Sequence, residues 1–160
     1  MFNPLDPTLL FLLHTSLTCF MTGLIWFVQL VHYPLFATVG RETFVAYERE
    51  HMRRVSWIVG PAMLAEAVSA AALVWLAGAD QPLLVLNFGL IAVTWLSTAL
   101  WQVPRHECLR NGFDAHAADR LVQTNWVRTL CWTARCILLL YSFPAVVAMI
   151  AFAPSGSSPR

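Results

Sequence analysis

Side chains able to hold a metal or move a proton gather in three short stretches: His32-Tyr33-Pro34, Glu48-Arg49-Glu50-His51 and His106-Glu107-Cys108. Glu48 and His51 are three residues apart, so on a helix they share one face. This Glu-x-x-His spacing is the element that di-iron helix bundles use in pairs. A single copy occurs here, which points to a mononuclear site built from His32, His51, His106 and Glu48. One transition metal, iron, copper or zinc, is the expected cofactor. An axial His pair holding haem is the alternative. The competing reading has these imidazoles bonding backbone carbonyls and lipid headgroups. His116, in a polar stretch, is expected to be solvated, and His14 to be an isolated packing residue.

A second group is defined by depth within apolar segments. Glu66 lies ten residues past Ser56, about 15 Å along a helix, and Arg135 lies seven past Arg128, about 10 Å. An ionised carboxylate or guanidinium alone in a bilayer core is costly. The two depths overlap, so Glu66 and Arg135 are expected to pair, directly or through water, with a protonated Glu66 as the alternative. In a functional role Glu66 would move a proton, with Arg135 tuning it; in a structural role the pair fixes helix register. Asn125 and Arg128 open the last apolar segment and are expected to orient a polar group of a substrate. Trp101, Trp126 and Trp132 fall in the same half of the chain's apolar segments and are expected to line an aromatic cavity around a bound group.

These residues need elements that hold them together, and the charge pattern shows what they are. The 160-residue chain is 58% hydrophobic and 12% charged, against about 25% charged in soluble domains. No charged residue occurs between Asp6 and Arg41 or from Gln81 to Pro104. Glu66 is the only one from Val55 to Ala79, and Arg135 the only one from Thr129 to Ser158. A bilayer core needs about 20 apolar residues in a helix. The chain therefore reads as all-α: a single integral membrane domain, residues 1–153, with spans near 9–32, 56–78, 82–103 and 128–152, and a disordered tail, 154–160. Arg41–Arg54 is expected to be a helix feeding into the second span, with Pro61 a candidate kink, and residues 111–126 a short polar helix. The first segment lacks a positive leader and outruns a signal peptide's apolar stretch, so it reads as a mature helix.

Orientation follows from arginine, the only basic side chain apart from His. Both long connections are Arg-rich and the Gly78–Pro82 turn has none. The positive-inside rule places the connections in the cytoplasm and both termini outside, in a bacterial inner membrane. Short turns then give an up-down-up-down four-helix bundle with helical cytoplasmic extensions. A net charge of +1 with no basic stripe excludes nucleic acid as a partner. Three of the four cysteines, Cys19, Cys131 and Cys136, lie in apolar runs, which excludes a disulfide scaffold. The bilayer is the expected partner, with an apolar small molecule as substrate; a homo-oligomer is compatible with the architecture.

The stretches Val103-Pro104-Arg105-His106-Glu107-Cys108-Leu109 and Asn125-Trp126-Val127-Arg128-Thr129 resemble a pattern found in small four-helix bacterial membrane proteins of the anthrone-oxygenase-like group. The resemblance covers the C-terminal third of the chain. It implies a four-helix membrane fold and an oxidative role on an aromatic substrate. This chain departs from the group in carrying His106 where many relatives have Asn, and in adding His32-Tyr33-Pro34 and the Glu-x-x-His stretch. The expected function is thus a metal-dependent membrane oxidoreductase or oxygenase with its site in the cytoplasmic half. The alternatives are a non-catalytic scaffold or assembly subunit, and a small proton-coupled transporter that uses Glu66.

Overall fold

The computed structural model describes residues 6–78 and 81–151, with side chains as far as Pro144. The described residues are helical and contain no strand. Helix α1 (Pro7–Phe27) is capped by Asp6, whose carboxylate accepts from the amides of Thr8 and Leu9. Helix α2 (Arg41–Ala77) is continuous through Pro61, and α3 (Pro82–Ser97) starts on a proline, a residue preorganised for a first turn. A short α4 (Val103–Leu109) precedes α5 (Ala115–Ala151). The polar stretch expected as a separate helix over 111–126 is instead the first part of α5. No helix-breaking residue follows Asp114 until Pro144, so the helix runs on from the polar stretch into the apolar one. The end of the expected fourth span at Phe152, and the tail 154–160, lie outside the described residues.

Two π turns give the bundle its particular shape. Val28–His32 follows α1 and Thr98–Gln102 follows α3. In each, the last amide before a proline reaches five residues back: Tyr33 to Val28 and Val103 to Thr98. A proline ring in a regular α-helix collides with the carbonyl four residues earlier. Widening the turn by one residue moves that carbonyl aside, so Pro34 and Pro104 can follow. Single π turns of this kind concentrate at functional sites, and here they re-aim Tyr33 and the helix that carries His106.

Among the described residues, three stretches are long and apolar enough to cross a membrane: Pro7–Thr38, Arg41–Ala77 and Pro82–Leu109. At 37 residues, α2 is about 55 Å long, well beyond the roughly 30 Å hydrocarbon core. Helices α1 and α3 each pack against both α2 and α5. The interior is layered. One apolar cluster holds Met21, Ile25, Phe36, Phe44, Leu121 and Trp132; a second holds Phe11, Leu73 and Leu139. Between them lies a polar layer described below. Outside the Arg-rich connections the exterior is largely apolar, with Trp57 and Trp75 more than three-quarters exposed, the inverse of a water-facing surface. Among the small residues of α2, Ala62 and Ser69 are buried, but Ala65 is exposed.

Candidate metal centre

Glu48 and His51 project from one face of α2, and α4 brings His106 to them. One ligand atom from each of the three lies within 4.8 Å of the others. Glu48 is fully buried. Its Oε1 is 2.6 Å from His106 Nδ1, and the other nitrogen of that ring, Nε2, is 3.1 Å from the Tyr33 hydroxyl. A metal held by His106 Nδ1 would leave the ring proton on Nε2, where the Tyr33 hydroxyl accepts it. Glu48 Oε2 and His51 Nε2 are buried and have no partner. Buried polar atoms are nearly always satisfied, so two orphans in one cluster mark a place for a ligand.

Sequence reasoning expects His32 as a third imidazole ligand. The structure places it one step back: its Nε2 is 2.9 Å from His51 Nδ1, so it orients His51 rather than joining the triad. The cause is the π turn, which places His32 at the end of the first helical stretch and against the outer side of the His51 ring. Phe36, fully buried, sets its ring edge-on to His32, His51 and His106 at 5.3, 5.4 and 6.3 Å. Tyr47 stacks on His51. His51 lies on the stretch of α2 before Ser56. Burial first, then the neighbouring His32 and His106, push its ring down to about 3. It is therefore neutral at ordinary pH, the form that ligates metals.

The cluster forms one end of a cavity of about 250 Å³. Tyr33, His51, Gln102, His106 and Arg128 supply the polar end; the remaining wall is mostly aliphatic side chains and methionines from α1 and α2. Among the tryptophans, Trp95 lines it. The expected cavity of Trp101, Trp126 and Trp132 is not what forms. Trp101 and Trp126 are on the bundle surface, where Trp126 packs edge-on to Trp26 at 5.6 Å. Trp132 is fully buried and donates to Glu66 Oε2 at 3.0 Å. They share one half of the apolar segments, but rotation about the helix axes sends them in different directions.

Arg128 reaches the cavity, whereas Asn125 does not line it. Asn125 donates to Gln29 Oε1 at 2.9 Å and accepts from Arg128 at 3.2 Å, so it positions the arginine. Glu66 and Arg135 meet at 2.8 Å in the polar layer, away from the cavity wall. Thr18 and Trp132 also donate to Glu66, and Arg135 Nε donates to Asn87 at 2.9 Å. His14 is not isolated: it joins Asn87 at 3.3 Å and Ser69 at 2.8 Å, closing a network across α1, α2, α3 and α5. Sequence reasoning missed Tyr33, Gln29 and Gln102 as parts of these sites. The signal available was a polar residue within five positions before, or directly before, a proline at the end of each apolar run.

Comparison with family models, with curated proteins and with solved structures yields no match to this chain, so the anthrone-oxygenase-like resemblance rests on the quoted residues alone.

Proposed function

We propose that the chain is an integral membrane protein that binds one transition metal through Glu48, His51 and His106 and uses it in oxidation of an apolar substrate held in the adjoining cavity. The observation that carries this reading is the pair of orphaned buried atoms, Glu48 Oε2 and His51 Nε2, in a cluster that opens on a mostly apolar cavity. Two imidazoles and one carboxylate are the donor set of non-haem iron sites that leave coordination positions open, and zinc accepts the same set. When bound, the metal supplies the redox or Lewis-acid chemistry. Tyr33 holds His106 in one tautomer, His32 orients His51, and Phe36 keeps water from the rings. The four long helices run up-down-up-down with the Arg-rich connections in the cytoplasm and both termini periplasmic. The closed Glu66 network favours a structural role for that pair over proton-coupled transport.

Elemental analysis and a UV–visible spectrum of detergent-purified protein, after metal supplementation, test the reading. Wild type is expected to hold about one metal per chain, the stoichiometry of a mononuclear site. The His51→Ala/His106→Ala variant is expected to hold none. A wild-type protein without metal or chromophore replaces this reading with that of a membrane scaffold or assembly subunit.

A further inference from the structure

The metal reading leaves one buried cation in the same cavity without a counter-charge. Arg128 is 5% exposed, and a guanidinium stays protonated in proteins. Its side chain gives a hydrogen bond from Nη1 to Asn125 Oδ1, its guanidinium carbon lies 5.2 Å from the Trp132 ring centroid, and the Tyr33 hydroxyl lies close to it. None of these partners carries a negative charge. Its Nε is buried without a partner. The neighbouring carboxylates are engaged elsewhere, Glu48 with His106 and Glu66 with Arg135, and among the described residues none pairs with Arg128. A desolvated, unpaired cation is a costly thing to fold around. A ligand's negative charge removes that cost.

We propose that the cavity binds a membrane-borne amphiphile with a single carboxylate on a slender apolar body, and that Arg128 is its counter-charge. As a statement of substrate class this rests on the metal-site reading; as a binding site it needs no metal. The Nε–Nη2 edge of a guanidinium is the edge that forms a two-bonded fork with a carboxylate. Nη1, on the other side, is the nitrogen already committed to Asn125. Met21, Val28, Val59 and Met63 line the path away from the arginine. At about 250 Å³, the space is just below the range usual for small-molecule sites. It suits one chain or ring and excludes a two-chain phospholipid.

The way in is lateral. Ser56 and Gly60, one turn apart on α2, line the cavity and are exposed, as are Trp95 and Val103 across from them. The cavity therefore opens on the flank of the bundle, where a bilayer's acyl chains would lie. A side chain added at Gly60 begins in open space, with no atom within 4 Å of its Cβ. A bulky residue there plugs the opening without touching Arg128.

Binding of radiolabelled dodecanoate to the full chain in phosphatidylcholine nanodiscs tests this, at a pH where the acid is ionised, on both metal-free and metal-loaded protein. Dodecanol is the neutral competitor. Wild type is expected to bind dodecanoate saturably, with dodecanol displacing it at least about tenfold less well, the scale of one charged hydrogen-bonded contact. Arg128→Gln is expected to weaken binding about tenfold or more. Gly60→Phe is expected to weaken it comparably while metal content stays at the wild-type level. Equal displacement by dodecanol overturns the proposal, as does undiminished binding by Arg128→Gln or by Gly60→Phe. Failure to load metal leaves the dodecanoate result readable, so the two readings fail separately.

Discussion

Glu66→Ala is expected to cost the folded protein about 3–5 kcal/mol, the range found when one partner of a buried ion pair is removed. Glu66 and Arg135 are each 1% exposed and bonded at 2.8 Å. Taking away the carboxylate leaves the guanidinium charged in an apolar layer and strips Thr18 and the Trp132 indole of their acceptor. The loss then spreads, because Arg135 also holds Asn87, which reaches His14 and through it Ser69. Against a total stability of roughly 5–15 kcal/mol, a change of this size removes a large share. Arg135→Ala should do comparable damage. The double variant Glu66→Leu/Arg135→Met should recover most of the loss, since neutral residues of similar volume replace buried pairs at little cost. Unfolding in detergent, followed by circular dichroism, gives the three values. A double variant no better than either single would show that packing, and not charge compensation, makes this layer matter.

Saturating metal is expected to raise the unfolding free energy of the wild type by about 2.7 kcal/mol at a hundred times its dissociation constant, by simple linkage. Glu48→Ala is expected to lose that increment entirely, because it removes the buried carboxylate and with it the orphaned Oε2. His32→Ala should behave differently. His32 touches His51 Nδ1 and stands outside the triad, so its loss should weaken metal affinity by roughly 10–100-fold, the usual penalty for a ligand's supporting hydrogen bond. Tyr33→Phe, which removes the hydroxyl at His106 Nε2, should fall in the same range. Chelator competition measures these affinities directly. If His32→Ala abolished binding as completely as Glu48→Ala, His32 would be a ligand and the geometry around His51 would rearrange on loading. If neither substitution changed metal-linked stability, the cluster would not be the site.

The Glu-x-x-His spacing announced the heart of the cluster because three residues on a helix is a fixed geometric relation. Pairing those residues with His106 required only that the ends of two apolar runs lie at one level. The role of His32 was not readable in the same way. It depends on a π turn, and whether a helix widens before a proline is decided by what packs around it. Tyr33 and Phe36 enter the site by the same turn, and Phe36 is an ordinary aromatic until the fold seals it between three imidazoles.

Depth was the quantity that could be read from the chain. A helix rises 1.5 Å per residue whatever surrounds it, so the placing of Glu66, Arg135, His51 and His106 along their helices needed no knowledge of neighbours. Alternation of apolar runs with charged connections likewise dictated helices long enough to cross a membrane. Rotation about the helix axis was beyond that reading. Trp101, Trp126 and Trp132 belong to the same half of the apolar segments, yet two face outward and one is sealed inside. The near-uniform apolarity of a lipid-facing helix leaves no amphipathic stripe to fix its azimuth. Packing against the other helices fixes it, and that packing decides which side of Arg128 meets Asn125 and which is left for a ligand.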